Sequence, residues 1–129
     1  MTIKSSQVES KSVLICGDRN WADSQAIRAW LSKLQDWGYD TVIEGEARGA
    51  DTIARDEAKR IGFIVKPYHA KWDTYGRAAG HIRNTEMLKQ KPSMVVAFHN
   101  SIETSKGTKN CIEQARKLGI ICIVVKEEV

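Results

Sequence analysis

Four short segments of the chain hold residue types suited to binding anions, and each lies at the start of a stretch of helical spacing. The first reads Cys16-Gly17-Asp18-Arg19-Asn20-Trp21-Ala22-Asp23. Gly17 ends an apolar run where backbone can approach a ligand closely, and Arg19 offers a planar fork of donors for phosphate or carboxylate. The same residues also read without a ligand: Arg19 as a solvated loop charge, Trp21 as a lid on the core. The second segment is Glu44-Gly45-Glu46-Ala47-Arg48-Gly49-Ala50-Asp51. Its two glycines bracket a turn into a helix whose first N–H groups form an anion site. Arg48 favours phosphate there and Glu46 opposes a highly charged ligand, while Asp51 reads equally as a helix cap and the turn as a tight turn only.

The third segment, residues 72–87, is the most unusual. It places Gly76 and Gly80 inside or beside a helix, where each glycine costs about 1 kcal/mol in an interior position. Trp72 and Tyr75 could stack on a base or ribose, with Arg77 beside them and Arg83 and Asn84 pointing into a pocket. The alternative is a helix packed tightly on neighbouring backbone, across a homo-oligomer interface for example. The fourth segment, Ser105-Lys106-Gly107-Thr108, opens the last helix with exposed N–H groups, a hydroxyl and a lysine, a set suited to phosphate. A plain cap accounts for Ser105 but not for the Gly-Thr pair.

Several chemistries are excluded by what the chain lacks. It holds no G-x-G-x-x-G, no G-x-x-x-x-G-K-[ST] and no G-x-S-x-G. His69, His81 and His99 have no partners at ligand spacing, so neither a metal nor another cofactor is expected. Three cysteines are an odd number, and two lie in apolar runs, which fits buried thiols in a reducing, cytoplasmic setting. The longest apolar run has six residues, against about 20 for a bilayer span, and no secretory pattern opens the chain. Twenty basic against sixteen acidic residues give +4, scattered along the chain, which suits an anionic small molecule and disfavours a polynucleotide.

The elements that must position these segments follow one period. After a loose tail over residues 1–11, β-rich runs at 12–16, 41–43, 63–65, 94–98 and 120–125 alternate with helical stripes. The first helix opens at the N-cap Asp23, carries Ile27, Trp30, Leu31 and Leu34, and stops at Gly38. The second opens near Asp51 and stops at Gly62. A third covers residues 77–89, with Ile82, Met87 and Leu88 facing the sheet; a fourth opens at Thr104 or Ser105, uses Ile112, Ala115 and Leu118, and stops at Gly119. Continuous apolar runs suit parallel strands covered on both faces. The expected fold is α/β: a Rossmann-like three-layer sandwich over residues 12–129, a five-stranded parallel sheet of order 3-2-1-4-5 with helices on both faces. Ligands of such sheets bind beyond the carboxyl ends of the strands where the order reverses, here between the first and fourth.

Taken together, the segments resemble the SLOG superfamily, and within it the YspA (YpsA-related) branch of small proteins common in bacteria and phages. The likeness rests on Gly17-Asp18-Arg19-Asn20-Trp21 with Asp23, on the Gly45-to-Asp51 turn, on Trp72 and Tyr75 through Asn84 with Met87, and on Ser105-Lys106-Gly107-Thr108. The resemblance implies a pocket for a nucleotide-derived small molecule, such as an ADP-ribose relative. More distantly, the chain is similar to the cytokinin-activating phosphoribohydrolases and to DNA-processing protein A. His81-Ile82-Arg83-Asn84-Thr85-Glu86-Met87 looks like the hydrolases' H-x-R-K-x-x-M segment with Asn84 replacing lysine, but their catalytic glutamate falls at Asn110 or Cys111. Arg83, Glu44, Asp51 and Glu113 remain as candidates for a catalytic role. The expected function is therefore sensing or sequestering a nucleotide-derived molecule, with a nucleoside-monophosphate phosphoribohydrolase as the alternative and nucleic-acid binding third.

Overall fold

The computed structural model describes residues 10–127. Five strands, β1 (Ser12–Gly17), β2 (Thr41–Glu44), β3 (Ile64–Pro67), β4 (Met94–Phe98) and β5 (Ile121–Val125), form one sheet of order β3-β2-β1-β4-β5. All four pairings are parallel; β1 sits at the centre, with Leu14 beside Ile43 of β2 and Val95 of β4. Between the strands lie α1 (Ser24–Asp36), α2 (Ala50–Arg60), α3 (Trp72–Tyr75), α4 (Ala79–Leu88) and α5 (Gly107–Lys117). This is the Rossmann-like three-layer arrangement that the alternation predicts.

Side chains of a strand alternate between faces, and β1 shows what each face receives. Val13 and Ile15 pack with Ile27, Leu31 and Leu34 of α1 and Ala54 and Ala58 of α2. Leu14 and Cys16 pack with Met87 and Leu88 of α4 and Cys111, Ile112 and Ala115 of α5. The central strands are thus buried on both sides, which is why they read as unbroken apolar runs. The edge strands depart from that expectation: Ile64 of β3 and Ile121 of β5 are exposed, because an edge strand has a neighbour on one side only.

Local signals set the helix ends. Asp23 caps α1 by accepting from Ala26 N–H at 3.1 Å, as its type predicts. α2 begins one residue earlier than expected: Gly49 is its N-cap and Asp51 lies in the first turn, so Asp51 is not the cap. The predicted helix over 77–89 corresponds to α4, which starts two residues later, and the short α3 ahead of it was not expected. Gly76 takes φ +55° and ends α3, a 3₁₀ turn over Gly76–Ala78 follows, and α4 starts at Ala79. Ile82 is only half buried and lines a side depression, while Met87 and Leu88 do face the sheet. The last helix opens at Gly107, after a 3₁₀ turn over Ile102–Thr104, and Leu118 lies past its end in solvent. Lys11 is not part of a loose tail, since its N–H donates to Asp40 and its carbonyl accepts from Asp40 and Thr41 N–H. Residues 1–9 of the expected tail lie outside the described residues.

Candidate functional site

The carboxyl ends of β1, β2 and β4 open into a cleft of about 800 Å³. It lies where the strand order reverses. Backbone forms its floor. Gly17 closes β1 so near β4 that a Cβ there would collide with the Phe98 carbonyl oxygen, and Asp18 N–H donates to that oxygen at 2.9 Å. Gly49 holds φ +86° against the Asp18 and Arg19 backbone, a place only glycine fills without strain. Ala50 N–H donates to the Asp18 carbonyl, so the first two loops are tied together.

Five basic side chains line the cleft, Arg19, Arg48, Arg77, Arg83 and Lys106, against two carboxylates, Asp18 and Asp51. Arg48 is steered by its bonds to the Arg19 carbonyl and Asn20 Oδ1, both at 3.2 Å. Arg83 is held more firmly. Its Nη1 donates to the Gly45 carbonyl at 2.5 Å and its Nε to Asn84 Oδ1 at 3.0 Å. Gly45 makes that contact possible, because a Cβ there would lie 2.6 Å from Nη1. Asn84, buried in α4, uses its amide to reach the Gly107 carbonyl at 3.1 Å and Asn110 Oδ1 at 3.2 Å on α5. One asparagine therefore aligns Arg83 and fixes the opening of α5.

That opening forms the far wall. Ser105 Oγ accepts from Thr108 N–H, Thr108 Oγ1 donates to the Gly17 carbonyl at 3.2 Å, and the Gly107 position is open, with nothing within 4 Å of where a Cβ would stand. The amide end of α5 can meet an anion there. Trp72, half exposed, borders the cleft opposite.

Asp51 is 5% exposed and lines the cleft. Burial pushes its carboxyl up to about 6, although nearby Arg83 and the Ala47 and Gly45 amides act the other way. Glu44 is fully buried at the end of β2; burial, with the neighbouring Glu46 carboxylate, raises it to about 8. Its Oε1 accepts from Glu46 N–H at 2.6 Å, and Oε2 is, among the described residues, the buried side-chain atom without a partner. Glu46 goes the other way: against its own burial, the protonated Glu44 carboxyl and the Arg55 guanidinium lower it. Cys16 and Cys111 meet at the cleft base, where their mutual hydrogen bond and then burial push the Cys16 thiol up. Among the described residues no cluster of three or more His, Cys, Asp or Glu side chains could hold a metal ion.

The cleft thus gathers Gly17, Arg19, Arg48, Asp51, Trp72, Arg77, Arg83, Asn84, Ser105, Lys106, Gly107 and Thr108 from the predicted set. Gly45, Gly49 and Ala50 shape it from beneath. Trp21 is not on its wall: the ring is buried edge-on against Phe98 and its Nε1 donates to the Asp23 carbonyl, because an indole at that loop can fill the core under α1. Tyr75 faces a separate 250 Å³ depression with Tyr68, His69 and Lys71 rather than the cleft that Trp72 borders. Of the catalytic candidates, Glu44 is sealed in the core and Glu113 points to solvent on α5, leaving Asp51 and Arg83 at the cleft. Sequence reasoning passed over Asp18 and His99, both on the wall; their positions just past β1 and β4, flanking the reversal, were the available signal. No helix among the described residues is long and apolar enough to cross a membrane.

Comparison with known proteins agrees with this fold and adds a lineage. The chain is 37% identical over 117 residues to the Gene 61 protein of Mycobacterium phage D29, covering 85% of this chain and 92% of that one. It superposes with a TM-score of 0.73 on DNA processing protein A from Streptococcus pneumoniae, over 93% of this chain but only 52% of that one, so it spans about half of the longer protein. At 14% identity that likeness concerns the fold. The profile named YAcAr, for the YspA, cpYpsA-related SLOG family, matches residues 11–75. With that match and the phage relative, the chain belongs to the YspA, cpYpsA-related SLOG family.

Proposed function

We propose that the cleft binds a nucleotide-derived small molecule and that the protein acts as a sensor or sequestering domain. The observation that carries this reading is the cleft at the strand-order reversal, with five basic side chains against two carboxylates and the open amide end of α5 on one wall. Phosphates would meet the α5 amides, Lys106 and the Arg19–Arg48 side, with Arg83 as the positioned cation and Trp72 as the stacking surface. Its volume falls within the range of small-molecule sites. The family membership and the likeness to a DNA-processing protein support a nucleotide-related role in general terms. The test is to incubate the protein with AMP, the other nucleoside monophosphates, NAD and ADP-ribose, and to follow both the melting temperature and the fate of each compound. At least one is expected to raise the melting temperature and return unchanged; no shift with any of them rejects the reading.

A second reading, nucleotide hydrolysis, is favoured by one observation. Asp51 lines the cleft near Arg83 with its carboxyl raised to about 6, a value suited to proton transfer near neutral pH. Release of free base in proportion to protein, lost in both Arg83→Ala and Asp51→Asn, would establish it.

A further inference from the structure

Two side chains at the strand-order reversal are left without a role by the phosphate-directed reading. Asp18 follows β1, His99 follows β4, and both line the cleft. The strand ends beneath them are tied by the Asp18 N–H to Phe98 carbonyl bond. His99 is 8% exposed, and its Nδ1 accepts from Ser101 N–H at 2.9 Å. With Nδ1 serving as an acceptor, the ring presents its N–H on Nε2. That nitrogen stands 4.0 Å from Asp18 Oδ2, beyond direct hydrogen-bond length. Asp18 Oδ1 is already engaged by Asn20 N–H at 2.8 Å, which leaves Oδ2 as the acceptor facing the ring.

A fixed donor and a fixed acceptor at this separation can hold one oxygen between them. An atom about 2.8 Å from each subtends roughly a right angle, close to the angle at which a single oxygen donates and accepts. The hydroxyl is the ligand group that does both through one atom. A phosphate or carboxylate oxygen only accepts and meets repulsion from Asp18, whereas an ammonium only donates and finds no acceptor on Nε2. We propose that Asp18 and His99 form a hydroxyl-recognition subsite of the cleft, which takes a sugar hydroxyl of the bound ligand. This rests on the nucleotide reading and adds to it that the ligand is held through a free 2′- or 3′-hydroxyl of its sugar. Each partner contributes one half: the carboxylate accepts the O–H, and the imidazole N–H donates to the oxygen.

The experiment is calorimetric titration of the wild-type protein, Asp18→Asn and His99→Asn with AMP, 2′-deoxy-AMP and 3′-deoxy-AMP, with ADP-ribose and NAD titrated into the wild type. Asparagine at position 99 keeps an oxygen within reach of Ser101 N–H and removes the Nε2 donor. At position 18, with Oδ1 still held by Asn20 N–H, asparagine turns an N–H toward His99 and removes the acceptor. Wild-type protein is expected to prefer AMP over one deoxy form by about tenfold to a hundredfold, and each variant to lose most of that preference. If AMP binds the wild type and both deoxy forms bind equally well, or if the preference survives in both variants, the subsite is overturned while the nucleotide reading stands. If none of AMP, ADP-ribose and NAD binds the wild type, both fall.

Discussion

Arg83 is placed by a glycine it touches and an asparagine beside it, and this makes its contribution separable from folding. Gly45→Ala would put a methyl against the far end of a flexible side chain rather than against backbone, so the guanidinium swings off the Gly45 carbonyl at little cost to the fold. We expect Gly45→Ala to reproduce most of the nucleotide-binding loss of Arg83→Ala, about 1.5–3 kcal/mol for a charged hydrogen bond, with a nearly unchanged melting temperature. Calorimetry and thermal melts on the two variants check this; full-strength binding in Gly45→Ala would mean that Arg83 works from some other position. Beneath that contact, Glu44 gives the protein a pH dependence. A carboxyl raised to about 8 in the folded state binds its proton more tightly than the unfolded chain does. Its stabilising contribution is therefore complete below about pH 4.5 and is lost as pH rises through 8. Asp51 acts in the same direction at lower pH, fading by about pH 6, while Glu46, which is lowered, acts in the opposite sense and only in acid. Between pH 6 and 9 the melting temperature should fall by a few degrees, and Glu44→Gln, which cannot ionise, should flatten that fall and exceed the wild type at pH 9. A parallel decline in both proteins would place its cause elsewhere.

At the scale of elements, the cleft depends on how α4 and α5 are joined. Asn84 is the bridge, with two donated bonds to α5 and one accepted from Arg83. Asn84→Ala strips partners from buried polar groups, and we expect a stability loss of about 1–3 kcal/mol in denaturant unfolding. Gly107 lies on the same helix end, and a Cβ there would meet no protein atom within 4 Å, so a larger side chain meets ligand rather than protein. Gly107→Val should weaken nucleotide binding at least tenfold, about 1.4 kcal/mol, while leaving the melting temperature within a few degrees. Destabilisation with binding intact would show the glycine to serve the fold instead. Much of this element level was legible in advance. The Asp23 cap and the stops at Gly38, Gly62 and Gly119 act through local backbone chemistry and need no partner. The third predicted helix was nearly as legible, with α4 starting two residues later than expected. The short α3 was not, because a single turn ended by the positive φ at Gly76 is too short to leave a periodic pattern.

For the whole molecule, charge distinguishes a small ligand from a polymer. A polynucleotide neutralised by many basic residues releases many counterions, and its affinity falls as a steep power of salt concentration. Here the cationic groups that converge are those of one cleft, while the rest of the +4 balance is spread over the chain. We expect no detectable binding of a ~30-mer single strand at physiological salt, and nucleotide binding that survives a rise in salt. Tight, steeply salt-dependent strand binding that is insensitive to Arg83→Ala would instead favour a nucleic-acid role.

The sequence by itself determined the layers, the strand order and the loops that meet at the reversal, because burial on both faces leaves unbroken apolar runs and parallel crossovers allow few arrangements. It also carried the family likeness that the profile match and the phage relative bear out. Only the tertiary structure decided which members of those loops share a wall. Trp21 and Glu44 sit beside site residues in sequence yet are drawn into the core, the indole against Phe98 and the carboxyl sealed at the end of β2. Asp18 and His99 lie eighty-one positions apart and meet only because β1 and β4 are neighbours in the sheet. Residue type and spacing fix what a segment can do locally; which side chains face one another depends on strand pairing and on the room the core leaves, and both arise only when distant parts of the chain pack together.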